Sequence, residues 1–524
     1  MKKILNLLLA IVLVTGCFVG CSPTTKNSQM EIYSKKDLTV EKIGDYGDLK
    51  LPFANGEKIE IVIATDLTNL NDSLIVKELR KRTGADIDII EIPVAAEKDK
   101  INTIIAGGDL PHIMNAGTSA SDIGIQGGFV ALDENLDLMP NFKKIFFDET
   151  KKYETEDFAK WLQAEDGHIY QFPVWDIQRE VNHGFLYRKD VFDQHGIKMW
   201  NSTEEFYETL KELKNLYPDS IPLTSKNKME LFMDFAGMWN IRSYKPWTPY
   251  FDEETGVWKQ SLTDPKMKEI ADFIKKLYNE KLLDPEFLTI TTPQWTSNMT
   301  NKNRSFISFD WIGRLDPLTI QSAESVPGYD LRFGNPIGTG KLRTLDKVWG
   351  GQSVANIENK EIAMQVLDYL LSESGAILTT MGIEGVTYEM GDNGKAKYLG
   401  MESESEISTT TLGKKYGLFA LPQIRYDKRS KYYDYTEREQ EAQDLINNKA
   451  DGGYNPFDPV LVFTGEELEI VNEIQPKLKK AAEEFFMQYI TGVKTWEEWV
   501  NQSKKLGSEE LVKIYNQAYD RNYK

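Results

Sequence analysis

The chain is poor in the side chains that carry most enzymatic and metal chemistry. Its 524 residues include 2 cysteines and 4 histidines. Cys17 and Cys21 both lie at the N-terminus, so the body has no thiolate for a disulfide, a metal or a nucleophile. His112, His168, His183 and His195 are scattered without metal-ligand spacing. No G-x-S-x-G, no H-E-x-x-H and no phosphate-binding glycine loop occurs, and Gly338-Thr339-Gly340-Lys341 lacks the spacing of the last. Acidic residues number 81 against 62 basic ones, for a net charge of −19. That balance argues against nucleic acid and against a basic membrane-binding patch. So many carboxylates also make any single pair meaningless as a glycosidase acid and base without geometry. Past residue 30 no apolar run is long enough to span a membrane. No catalysis, cofactor or metal is expected from this inventory.

The cysteines sit in AIVLVTGCFVGCSPTT (10–25), after Lys2, Lys3 and an apolar stretch from Ile4 to Val14 broken only by Asn6. A basic start and a short apolar core are the marks of a secretion signal. Small residues precede each cysteine, and the pattern resembles the lipobox of bacterial lipoproteins. There the thiol takes a diacylglycerol, and acyl chains hold a soluble body on a membrane without a spanning helix. Cys21 is followed by the polar run Ser22-Pro23-Thr24-Thr25 and is the expected lipidation site, with Cys17 as the alternative. Residues 1–20 are then the signal peptide and 21–50 a lipidated, polar tether.

Further along, β-branched runs alternate with helical periods. KIEIVIATDL (58–67) and DIDIIEIPV (86–94) read as strands, SLIVKELRKRTG (73–84) and EKDKINTIIAGGDLP (97–111) as helices closed by glycine, and HIMNAG (112–117) as a third strand. This is a doubly wound α/β pattern, with loops gathered at the carboxyl ends of a parallel sheet. KWLQAEDGHIYQFPV (160–174) predicts a hairpin turning at Asp166-Gly167. A second α/β lobe starts near residue 181, where Ser202 and Glu205 predict a capping box; farther on, KEIAMQVLDYLLSESGAILTTMG (360–382) predicts one long helix.

The order of these segments resembles the extracellular solute-binding lipoproteins of carbohydrate ABC transporters, in the large subgroup common in Gram-positive bacteria. IIAGGDLPHIMNAG is similar to the family's run from helix into strand. GFLYRKDVFDQHGIKMWNSTEEFYETLKELK is similar to its crossing into the second lobe, and FISFDWIGRL to its strand ending in tryptophan. SVANIENKEIAMQVLDYLLSESGAILTTMGIEG and ITGVKTWEEWVNQSKKLGSEELVKIYNQAYDRNY match its later helices. The resemblance implies a two-lobed, Venus-flytrap α/β fold, each lobe a mainly parallel sheet flanked by helices, with hinge crossings near 172–187, 331–348 and 384–388. The lobes would comprise 51–180 with 333–386, and 181–332 with 387–524. It further implies a monomer on the outer face of the cell membrane that binds an oligosaccharide and serves an ABC permease. A sensor kinase as the partner, a peptide receptor and a glycoside hydrolase are the alternatives. The calcium loop of many large members has no counterpart in Leu216-Tyr217-Pro218-Asp219-Ser220-Ile221-Pro222, which holds too few oxygen ligands for Ca2+.

Sugar recognition needs aromatic plates for ring faces and planar polar groups for hydroxyls. Candidates at strand ends and crossings are Asp66, Asn69 and Asn115, Trp175 with Arg179, and Asp310, Trp311 and Arg314. Trp349 beside Gly350-Gly351-Gln352, Glu384, and Trp239, Trp247 and Trp295 in irregular segments complete the set, with Arg425 a weaker candidate. Helix capping is the competing role for the Asp and Asn positions. Trp161, Trp200, Trp258, Trp496 and Trp499 read as core or hairpin residues.

Overall fold

The computed structural model describes residues 44–156, 162–176, 180–242, 248–345, 347–391, 396–401, 409–426, 437–448 and 453–524. Cys17, Cys21, Arg179, Trp161 and Trp247 lie outside them.

The first sheet is built as its sequence predicts. Strand Lys58–Ala64 pairs in parallel with Asp86–Ile92, from Lys58 opposite Asp86 to Ala64 opposite Ile92, and in parallel with Ile113–Met114. Ser353–Val354 joins the other edge antiparallel to Ile113–Met114. Both faces are covered. Ile59, Ile61 and Ile63 point into one apolar core, while Val62, Ile92 and Met114 point into another. Fully burying one such side chain contributes roughly 1.5–3 kcal/mol, so this strand anchors the lobe. Helix Leu74–Thr83 starts on the Ser73 hydroxyl, which accepts the Val76 N–H, and stops at Gly84 with φ 79°.

The second sheet departs from the expected parallel pattern. Its order is Leu331–Phe333, His183–Arg188, Ile307–Trp311, Leu223–Thr224, and only the last pairing is parallel. The cause is connectivity. His183–Arg188 runs away from the crossing that delivers it, whereas Leu331–Phe333 heads back toward the next crossing. Adjacent strands that enter and leave by the same side must run in opposite directions.

Three chain segments join the lobes as a sheet of their own. Pro173–Asp176 lies between Val348–Gly350, antiparallel, and Arg425–Tyr426, parallel. Apolar contacts change from the second-lobe core to the first between Leu342 and Val348, and change back between Ile424 and Ala442. The shifts come later than 333 and 387. Glu384 and Tyr388 bridge to each other, and Tyr388 stays in the first-lobe core, so 384–388 is not a crossing. Gly351 belongs to this junction because a Cβ there would stand 2.8 Å from the Phe172 carbonyl oxygen.

Two local readings are corrected. The predicted long helix is two, Lys360–Leu371 and Glu373–Thr380, because the Ser372 hydroxyl accepts the Gly375 N–H and caps the second. At Ser202 the hydroxyl does accept from Glu205 N at 3.1 Å, but the Glu205 carboxylate accepts the N–H of Asn201, not of Ser202. The predicted hairpin stands, with Gln163 bridged to Ile169 and Gly167 at φ 86°.

Asp368 ties two first-lobe segments together. Fully buried, it accepts the Phe142 N–H at 2.7 Å and both the backbone and side-chain N–H of Asn141, at 3.2 and 2.9 Å. Burial outweighs these donors and pushes its carboxyl up to about 7. A raised folded-state value means stability is fully present below the unfolded value and declines as pH rises toward 7. We predict that Asp368→Asn flattens the decline in denaturation midpoint between pH 5 and 7, which in the native chain amounts to about 1 kcal/mol per pH unit from this group. An unchanged slope in the variant contradicts that assignment.

Candidate functional site

Strand Ile307–Trp311 buries four residues in succession and then exposes the fifth, so Trp311 is 50 % exposed. It faces His183 across the antiparallel pair, ring to ring at 5.7 Å in an edge contact. The 3-10 turn Ile312–Arg314 follows and brings the Arg314 guanidinium to 5.5 Å from the indole centroid. Arg314 Nε is buried without a hydrogen-bond partner, and Asp310 Oδ1 is 4.0 Å away.

Asp310 lies beneath this edge, 1 % exposed. Its carboxylate is ion-paired with Lys226 and accepts the Trp311 N–H at 2.7 Å. Lys226 also sits 4.1 Å over the ring of Trp295. Trp295 is fully buried and donates its indole N–H to the Ser308 hydroxyl at 3.0 Å. Asp310 and Trp295 therefore support the site from below and have no surface to offer a ligand.

Above them opens a cavity of about 510 Å³, walled by Trp311, Arg314, Lys226, Asp234, Arg343 and Lys479 among others. Asn227 donates to Asp234 at 2.7 Å, yet burial holds that carboxyl up at about 7. A smaller cavity of about 290 Å³ shares Arg343 and Thr344 but runs behind, among Pro456, Pro459 and Tyr515 of the second lobe. Trp311, Arg314 and Lys226 do not line it.

The first-lobe wall is a recess of about 220 Å³ at the carboxyl ends of its strands, lined by Asn115, Gln352 and Phe419. Asn115 Oδ1 accepts the Gly117 N–H at 2.9 Å. Gln352 Oε1 is buried with no partner. Leu345 lines the large cavity and Gln352 the recess, with crossing strand Val348–Gly350 between them in sequence. Trp349 stands on that strand, 38 % exposed.

The remaining candidates are placed as follows. Trp175 is a core residue at 2 % exposure, enclosed by Phe146 and Tyr153, with the Arg425 guanidinium 5.2 Å from its ring. Its strand is buried on both faces, so alternation does not bring it out. Trp239 is half-buried against the second-lobe core. Asp66 and Asn69 are exposed after the first strand; capping of the next helix falls to Ser73 instead. Glu384 is exposed in the turn before strand Tyr388–Met390. Trp200 and Trp499 are fully buried, as expected, the latter stacked on Phe485 at 4.9 Å. In the 216–222 turn, Lys214 Nζ donates to the Ser220 carbonyl at 2.6 Å and Arg304 to that of Asp219 at 3.0 Å, so cationic side chains take up two of its oxygens. Among the described residues no three His, Cys, Asp or Glu are grouped to hold a metal, and no helix could cross a membrane.

Residues that sequence reasoning missed are Lys226, Asn227, Asp234, Gln352, Arg343 and Lys479. Lys226 and Asn227 follow strand Leu223–Thr224 and answer the same strand-end rule as Asp66. Lys479 comes from the distant helix Gly465–Ile490, which no local pattern connects to the cleft.

The model of the bacterial extracellular solute-binding protein family matches residues 68–377. Lipoprotein LipO of Bacillus subtilis is 23% identical over 515 residues, 89% of this chain and 93% of its own length. The polygalacturonan/rhamnogalacturonan-binding protein YtcQ of the same organism is 21% identical, over 85% of this chain and 87% of its own. Among solved structures, alginate-binding protein AlgQ2 without calcium ion superposes with a TM-score of 0.71 at 20% identity, covering 90% of this chain and 99% of that one. Streptococcus pneumoniae FusA in complex with kestose gives 0.68 at 18%, covering 89% and 99%.

Removing Lys226 leaves the buried Asp310 carboxylate with only the Arg314 guanidinium, 4.0 Å away, as a cationic neighbour, whereas trimming Trp311 removes exposed surface. We predict that Lys226→Met lowers folding stability by about 3–5 kcal/mol in chemical denaturation. Trp311→Ala should stay within about 0.5 kcal/mol of the native chain. The reverse ranking overturns the division into support and contact surface.

Proposed function

The chain belongs to the bacterial extracellular solute-binding protein family, and from that premise we propose that it captures an oligosaccharide between its lobes for an ABC transporter permease. The observation that carries the reading is Trp311, half exposed at the rim of a cavity of about 510 Å³ and beside the unpartnered Arg314 Nε. An exposed indole at a rigid strand end is a plate for the C–H face of a pyranose ring, and the guanidinium next to it serves the hydroxyl rim. Asn115 and Gln352 supply amides from the opposite lobe, with Trp349 between. A glycan that touches both walls favours the closed arrangement by its differential contacts, and the crossing sheet is the place where such a hinge bends.

The names of the relatives, which give polygalacturonan/rhamnogalacturonan, alginate and kestose as ligands, support a saccharide over a peptide. No chemical step is assigned: Asp310 is locked to Lys226, and the glycan leaves as it came. A diacylglycerol on Cys21, or on Cys17, holds the monomeric body outside the cell membrane, in keeping with the lipoprotein relative.

Purified protein lacking residues 1–21 should gain thermal stability with an oligosaccharide from a glycan panel, by about 2.7 kcal/mol at a hundredfold excess over Kd. Chromatography should recover the sugar uncleaved. Trp311→Ala should cost about tenfold in affinity. Cleavage of the sugar, or a shift with peptides and none with glycans, contradicts the reading.

A further inference from the structure

The buried tryptophans of the second lobe differ in one atom. Trp200, Trp295 and Trp499 donate their indole N–H groups to the Asn335 carbonyl, the Ser308 hydroxyl and the Leu262 carbonyl, at 2.6, 3.0 and 2.9 Å. Trp258 is 5 % exposed, and its Nε1 is buried with no hydrogen-bond partner among the described residues. A donor left so costs roughly 1–3 kcal/mol. The ring is held in place. Asn516 Oδ1 accepts the Trp258 backbone N–H at 2.9 Å, and Asn516 Nδ2 donates to the Trp258 carbonyl at 3.0 Å. Tyr515 and Phe251 meet the indole edge-on at 5.1 and 5.9 Å.

Trp258 lines the smaller cavity of about 290 Å³, which lies near the lower end of ligand pockets, roughly 300–1,000 Å³. Several polar groups of that wall are already engaged. Arg242 is paired with Glu253, the Thr344 hydroxyl donates to the Asn455 carbonyl, and the Asn455 amide donates to the Gly237 carbonyl at 2.7 Å. Asp458 is engaged by half: Oδ1 accepts the Phe251 N–H at 3.2 Å, and Oδ2 makes no hydrogen bond within the described residues. The cavity thus combines a fixed N–H, a carboxylate oxygen, and the rings of Phe463 and Tyr515. A hydroxyl both accepts and donates, so a small ring bearing several hydroxyls and apolar C–H faces answers all three. A sugar with a carboxylate of its own would meet the Asp458 charge. We propose that this cavity is a second saccharide site, taking one neutral pyranose unit whose hydroxyls accept from Trp258 Nε1 and donate to Asp458. Arg343 and Thr344 line this cavity and the large one alike, so the unit is either the end of the glycan in the cleft or a separate sugar. Only in the first case does the proposal rest on the reading of the cleft as an oligosaccharide site.

The test follows the Trp258 indole N–H by nitrogen-15 NMR on the protein lacking residues 1–21, the resonance being assigned by its loss in Trp258→Phe. The probes are the methyl glycosides of glucose, galactose and mannose, and the oligosaccharide that stabilises the native chain. At least one should shift the resonance saturably, and Asp458→Asn should weaken that probe about tenfold. The asparagine keeps an Oδ1 for the Phe251 N–H, and the affinity ratio needs no assignment. An oligosaccharide bound one to one that shifts the resonance marks the unit as the end of the cleft glycan. A methyl glycoside that shifts it with the oligosaccharide already bound marks a separate sugar. A resonance that no probe moves, or a shifting probe whose affinity Asp458→Asn leaves unchanged, overturns the second site and leaves the cleft reading intact. Binding of no saccharide of any class overturns both.

Discussion

Everything the cleft can do depends on how the chain passes between the lobes without leaving backbone groups unpaired. Three segments from distant parts of the sequence meet there, and each completes the others. Trp175 N–H donates to the Ile424 carbonyl at 2.8 Å, Asp176 N–H to that of Lys347 at 2.7 Å, and Gly351 N–H to that of Phe172 at 3.0 Å. Lys347 adds an ion pair with Glu180 at 2.6 Å, with only 13 % of its side chain exposed. A buried peptide group without a partner costs about as much as a lost hydrogen bond, so no crossing is stable alone. The short sheet lies in sequence between the second-lobe strand ends that line the large cavity and the first-lobe strand ends that line the recess.

On the second-lobe wall one strand separates support from contact. Phe309 and Asp310 are buried, and Trp311 is the first residue to emerge. A buried carboxylate at that position requires a cation, and Lys226 supplies it from the end of the neighbouring strand. Lys226 is thereby spent, and Arg314 is left beside the indole without a hydrogen-bond partner at Nε. The cleft's chemistry follows from this order of satisfaction.

Local patterns carried the fold far. Periodicity and glycine stops located the first-lobe strands and helices because those elements are decided within a few residues. The direction of the second sheet was not legible, since pairing depends on where the crossings lie. Trp175 and Trp311 look alike in sequence, each a tryptophan at a strand end beside an aspartate. Phe146, Tyr153 and Arg425, all remote along the chain, enclose one, while the other, flanked by His183 and Arg314, stays half exposed. Lys226 and Gln352 were within reach of the strand-end rule; Lys479, on a helix far along the chain, was not.

The central claim is that one ligand spans both lobes, with Gln352 Oε1 accepting from it on one side and Trp311 lying under it on the other. The most direct measurement is calorimetric titration of Gln352→Ala with whichever glycan binds the native chain. The account predicts a loss of about tenfold in affinity with folding stability unchanged, as expected when a buried acceptor that only the ligand fills is removed. Undiminished affinity in that variant would show that the ligand rests on the second lobe alone and would contradict the account.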